Sequence, residues 1–324
     1  MSLTSQIKDK NSPVRRFFTK FENKEGTKEC LALLQSTKPI RQPSFTPTSF
    51  IVYAFIGTTT DYLIRYTAGE NSLIFENTIA YEALKFSGVV SISNGQDFSQ
   101  HLEHLYEIGK QYLDGRDATD HKAVYSATAL AVMDNVFRSG MLPRLFSEPI
   151  PKNKKEKIKK SEGKNLKEKM TRFLFDEYYE TLGGKLYAQD VSELIKTFVA
   201  ATKSRDSELF NARFVVFNQA LENSGLVGGA DFDCVIKYNK RLILTDVKTT
   251  TKPLKIEHFR QIVGYALLYD EKKDDFKFTD IGIYYSRSGS FRFLPIDSVI
   301  EKSLSSFKSL SLARKAFISE IKKT

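Results

Sequence analysis

Two cysteines, Cys30 and Cys234, in 324 residues leave no disulfide framework and no Cys-rich zinc or iron–sulfur site. A reduced, cytoplasmic protein is expected. Long apolar runs are also missing. Stretches such as residues 50–56 fall far short of the roughly 20 residues a membrane span needs. Residues 1–16 mix Lys, Asp and Arg with polar groups where a signal peptide would carry an apolar segment. No membrane partner is expected. Gly-rich phosphate loops are absent too: neither Gly163-Lys164-Asn165 nor Gly183-Gly184-Lys185 has the upstream glycine of a Walker loop, which excludes a resident ATPase or helicase. No histidine joins a Ser or Cys nucleophile in a recognisable signature, and no internal repeat is present.

What is there is a folded composition, 41% hydrophobic and 27% charged, with a net charge of +10. Residues 152–169 hold nine lysines and three glutamates, more than half of that excess. Two readings stand for this block: a nucleic-acid contact that works by counterion release, or a solvated insertion.

Along the chain, residues 1–48 are poorly periodic and read as an extended N-terminal arm or a partly ordered lead-in. Residues 49–205 are predominantly helical and contain the lysine block. Predicted helices centre on Ala54 to Ile64, Leu102 to Leu113 and Ala129 to Phe137. Residues 170–182 form a further predicted helix stopped by Gly183–Gly184, and residues 191–201 a short one after it. From 206 the period changes. Residues 212–217, 232–237 and 242–247 are β-rich, 256–269 helical, and 281–285 with 291–294 a hairpin turning at Ser288–Gly289. Residues 298–322 form a helical tail. The pattern is α/β, with the chemistry in residues 206–324.

The informative stretch is Gly228-Gly229-Ala230-Asp231-Phe232-Asp233, followed by Thr245-Asp246-Val247-Lys248. With Asn239 and Lys240 as a two-residue loop, Asp233 faces Asp246 and Asp231 faces Lys248. Side chains alternate along strands, so these four share one face. Like charges this close need a compensating cation or proton. Carboxylate oxygens suit a hard divalent ion, Mg²⁺ or Mn²⁺, and a neighbouring lysine orients water and offsets charge on a phosphate. The plainer reading, a surface hairpin with solvated ion pairs, fits less well with apolar residues on both faces. On the predicted helix 256–269, Gln261 and Tyr265 are four apart and share a face. They can hydrogen-bond a phosphate, or a carboxylate or the lysine of the site; alternatively, Tyr265 is core and Gln261 merely exposed.

Together, Asp233, Asp246-Val247-Lys248 and Gln261 to Tyr265 resemble the RecB-like branch of the PD-(D/E)XK nuclease superfamily. That branch places an Asp on one strand, Asp-x-Lys on the next and Gln-x-x-x-Tyr on the following helix. The resemblance spans about residues 214–285. It implies a restriction-endonuclease-like mixed-sheet core bearing a large helical N-terminal region. It further implies metal-dependent hydrolysis of DNA phosphodiester bonds in repair, recombination or defence against foreign DNA. Asp233, Asp246 and the Val247 carbonyl would hold Mg²⁺ or Mn²⁺, Lys248 would activate the attacking water, and Gln261 and Tyr265 would shape the site and contact the nucleic-acid backbone. DNA is the implied partner, with other repair or defence proteins beside it. Exonuclease and endonuclease action both remain open.

Asp61 follows Gly57 by four, where this branch places a metal-binding His; it would serve as a further metal ligand, or simply pair with Arg65 at i,i+4. Asp231 fits the branch by its distance from the glycines, Asp233 by its place opposite Asp246, which makes Asp233 the expected ligand. The rival functions are a catalytically silent nucleic-acid-binding or scaffold protein, and a nuclease active only with a partner. His101 and His104 read as a solvated helix face, and His258 as exposed or within reach of substrate. Residues 284–287, Tyr-Tyr-Ser-Arg, end a strand where stacking on bases is expected.

Overall fold

The computed structural model of the chain describes residues 2–43, 50–68, 76, 78–85, 99–111, 117–139, 182–274 and 276–323. It forms two compact units, one of residues 1–42 with 197–324 and one of residues 43–196. The lysine block 152–169 and the predicted helix 170–182, save its last residue, lie outside the described residues.

The first unit is mixed α/β. Its five-stranded sheet runs in the order β1 (Arg213–Phe217), β2 (Cys234–Tyr238), β3 (Arg241–Lys248), β4 (Asp280–Tyr285), β5 (Ser290–Pro295). Only the β3–β4 pair is parallel, and a parallel pair needs a crossover. The helix Ile256–Leu268 supplies it. The β2–β3 register runs from Cys234 opposite Thr245 to Tyr238 opposite Arg241. Asn239 takes the positive φ of 54° that this two-residue loop requires.

The first 34 residues do not form an extended arm. They make α1 (Leu3–Lys8), α2 (Pro13–Phe21) and α3 (Lys24–Leu34), each started by a capping side chain, Ser2, Ser12 or Asn23. Leu3, Ile7, Phe17, Phe18 and Leu34 enter the same core as the sheet and the crossover helix. These helices are too short for periodicity to stand out, and burial supplies most of their stability. The C-terminal stretch is likewise two helices, Ile296–Ser303 and Leu310–Ile321, separated by a Ser-rich turn in which Ser309 caps the second.

The second unit contains α4 (Phe50–Ala68), α5 (Ile79–Lys85), α6 (Ser99–Lys110) and α7 (His121–Ser139). The centre of this packing is α7, whose Ala127, Leu130, Ala131 and Met133 are all buried. The next helix, α8 (Leu182–Lys203), begins in this unit and ends in the other. Gly183 and Gly184 therefore open a helix rather than stop one. First-turn N–H groups need no intrahelical acceptor, so weak helix formers are tolerated there. In chain order the crossover helix is α9, and the last two are α10 (Ile296–Ser303) and α11 (Leu310–Ile321). No described helix is long and apolar enough to cross a membrane.

Candidate active site

The residues singled out in the α/β unit meet where the end of β3 passes beneath α9. Asp246 and Lys248 are two apart on β3 and therefore project to the same face. The Lys248 ammonium stands 2.6 Å from Asp246 Oδ2, with the lysine side chain 15% exposed and the aspartate 3%. That oxygen is buried and receives no well-aligned hydrogen bond. Lys248 also donates to Gln261 Oε1 at 3.4 Å, and Gln261 Nε2 donates to the Tyr265 hydroxyl at 2.9 Å. One chain of polar contacts thus runs Asp246–Lys248–Gln261–Tyr265. Its last two members are one helical turn apart, as their spacing predicts.

Asp233 joins this group by a route that strand alternation does not show. The β2–β3 ladder stops at Cys234, so Asp233 lies just beyond it. Its Oδ2 accepts the Val247 N–H at 2.6 Å, where a strand carbonyl would otherwise sit. The carboxylate caps the ladder and rests against the Asp246–Val247 peptide. Asp231 does not continue the ladder opposite Lys248; it forms an isolated bridge with Ala220. Ahead of it, Gly228 and Gly229 adopt φ of 75° and 111°, a turn that side-chain-bearing residues rarely make.

Tyr265 is buried, and burial together with the Asp233 and Asp246 carboxylates pushes its hydroxyl well above the usual tyrosine range. It is a neutral hydrogen-bonding group at any working pH. His258, one turn before Gln261, is half-buried rather than exposed. Its Nδ1 accepts the Lys255 N–H at 3.2 Å and so caps α9. Burial, then the Lys248 ammonium, lowers its pKa.

Two arginines support the site, Arg287 in a role other than the expected base stacking and Arg260, which sequence reasoning passed over. Arg287 is buried and donates through Nε to the Thr249 carbonyl at 2.7 Å, fixing the chain just after Lys248. Arg260, on α9, is clamped by Glu22 through two hydrogen bonds of 3.1 and 2.5 Å. A charged residue inside an otherwise apolar helical pattern was the available signal for Arg260. The segment 284–287 does not present rings to bases: Tyr284, Tyr285, Ser286 and Arg287 are all buried, and Tyr285 donates to the Leu34 carbonyl at 2.7 Å.

Asp61 lies on α4 in the helical unit and is ion-paired with Arg65, the i,i+4 partner. Asp134 and Arg138 on α7 form a further pair of that unit, at 2.6 Å. His101 and His104 share α6. Among the described residues no group of three or more His, Cys, Asp or Glu side chains stands at metal-binding spacing. The donors available beside Lys248 are two carboxylates and the main chain of Val247. This set is hard and oxygen-rich, and its chemistry fits Mg²⁺ or Mn²⁺. No protein-family model matches the chain, and no curated protein matches its sequence.

Proposed function

We propose that the α/β unit is a metal-dependent deoxyribonuclease with a restriction-endonuclease-like core of the RecB-like PD-(D/E)XK type. The contact chain Asp246–Lys248–Gln261–Tyr265, closed by Asp233 against Val247, carries this reading. Asp233, Asp246 and the Val247 carbonyl would hold Mg²⁺ or Mn²⁺, which supplies Lewis-acid polarisation of the scissile phosphate and of the attacking water. Lys248 is anchored to two partners and orients that water; its charge offsets the negative charge that grows on the phosphate oxygens. Gln261 fixes Lys248 from the helix side. Tyr265, kept protonated, fixes Gln261 in turn. The net charge of +10 draws the chain to a polyanion.

A second reading has one observation in its favour. In the direct Lys248–Asp246 ion pair the ammonium itself neutralises the carboxylate, an arrangement suited to a DNA-binding protein that does not cut, or to a nuclease that waits for a partner. Incubation of end-labelled linear and closed circular DNA with Mg²⁺, Mn²⁺ or EDTA separates the readings. The nuclease is expected to cut with either metal and not with EDTA. Cutting of the closed circle marks endonuclease action, and cutting confined to linear DNA marks exonuclease action. DNA binding without cleavage in any metal supports the second reading.

A further inference from the structure

A second concentration of charge lies on the α/β unit, beyond the C-terminal end of α9. A cleft of about 650 Å³ opens there between the turn after α9 and helix α11. Lys273, Arg314, Lys315, Lys322 and Lys323 line it, against a single lining acid, Asp270. Two of the cations are already paired, Lys273 with Glu222 at 2.5 Å and Lys323 with Glu320 at 2.9 Å.

Arg314 is different. Its guanidinium lies over the Tyr269 ring, 5.0 Å from the centroid, and its Nε and Nη2 are buried with no hydrogen-bond acceptor. The neighbouring acids act on it through space and make no hydrogen bond to its Nε or Nη2. Asp274 spends both oxygens on the backbone N–H groups of Asp270 and Glu222, at 2.6 and 3.0 Å, and Asp270 Oδ1 accepts from Lys272 N at 3.0 Å. Among the described residues, Glu271 is the acid that acts on Arg314 most strongly. A guanidinium held on an aromatic ring beside the exposed Lys315 and Lys322 suits an anion with several oxygens.

The place of the cleft names the anion. Gln261 and Tyr265 are spaced i, i+4 along α9, and Tyr269, at i+8, is the residue that ends it. Eight residues of helix rise about 12 Å, the length of about three to four nucleotides of one DNA strand. We propose that this cleft binds a backbone phosphate of the DNA, some three to four nucleotides from the bond held at Lys248. The register relative to that bond rests on the nuclease reading, whereas the binding itself does not.

The test is DNA binding by the full chain in EDTA, read by fluorescence anisotropy of a 20-base-pair duplex over a range of salt. Arg314→Gln/Lys315→Gln/Lys322→Gln is expected to bind about tenfold more weakly, with a salt slope shallower by about two to three. The control Lys203→Gln/Lys237→Gln/Lys240→Gln removes the same charge elsewhere and is expected to change the slope far less. Lys315→Gln/Lys322→Gln, with both lysines exposed, gives part of the same loss even where the Arg314 variant misfolds. Equal losses in the cleft and control triples, or unchanged binding in the cleft variants, overturn the proposal. Calorimetry with inorganic phosphate is the second arm. Phosphate binding that the cleft variants abolish, with DNA binding untouched, marks a free-phosphate site and also overturns it. Cleft-dependent binding by a wild-type protein that cuts no DNA sustains the phosphate site and counts against the nuclease reading alone.

Discussion

Lys248 is restrained on two sides, by Asp246 on its own strand and by Gln261 on the helix above. The pair on the strand was legible in the sequence, because alternation and the two-residue loop fix which side chains share a face. The part played by Asp233 was only half legible. A side chain that accepts a backbone N–H and ends a ladder leaves no periodic trace, so the sequence placed Asp233 near Asp246 without revealing its bond to Val247. Of the two readings of His258, exposure does not hold: it is half-buried, and its capping bond to Lys255 is a local side-chain contact that periodicity does not show. That bond has a pH consequence. His258 has a lowered pKa and is held neutral in the fold, so its contribution is complete above the unfolded value of about 6.5 and is lost progressively as pH falls from there through the lower folded value. His258→Gln keeps an acceptor for the Lys255 N–H but does not titrate. Melting temperatures between pH 8 and 5 are expected to fall further for the wild type than for this variant; parallel curves would contradict the assignment.

Among the elements, the three N-terminal helices show why short segments elude sequence reading. Their caps are visible as Ser2, Ser12 followed by Pro13, and Asn23. Their buried faces are defined by helices more than 200 residues later. Gly26 of α3 illustrates this. A methyl group there would fall on the Lys302 carbonyl oxygen at the end of α10, a backbone atom that can retreat only if the helices part. Alanine is favoured over glycine inside a helix by about 1 kcal/mol. The clash outweighs that gain, and Gly26→Ala is expected to destabilise the fold by about 1–3 kcal/mol in urea titration. A neutral or stabilising result would mean that α3 and α10 separate easily. Gly264 makes the contrast, since a Cβ there would stand 3.2 Å from the ends of the Leu3 side chain, which can rotate away.

Over the whole molecule, the α/β unit is assembled from both ends of the chain, residues 1–42 with 197–324. Sequence patterning captured the succession of strands and the helix between them but could not place the N-terminal segment. The long-range bond that secures it, Glu22 to Arg260, joins residues 238 apart. Both side chains are more than nine-tenths buried. Removing one partner leaves an uncompensated buried charge, so Glu22→Ala is expected to cost about 3–5 kcal/mol. Deletion of residues 1–42 strips the core of Leu3, Phe17, Phe18 and Leu34. It is expected to abolish cooperative melting by circular dichroism; an unchanged transition would contradict the placing of this segment in the core. The most direct measurement of the central claim is single-turnover cleavage of a labelled DNA duplex in Mg²⁺ by the wild type, Asp246→Ala and Lys248→Ala, each shown to be folded. The wild type is expected to cut, with both variants slower by about a hundredfold or more. An inert wild type, or Lys248→Ala cutting at the wild-type rate, would contradict the assignment of this site as a nuclease centre.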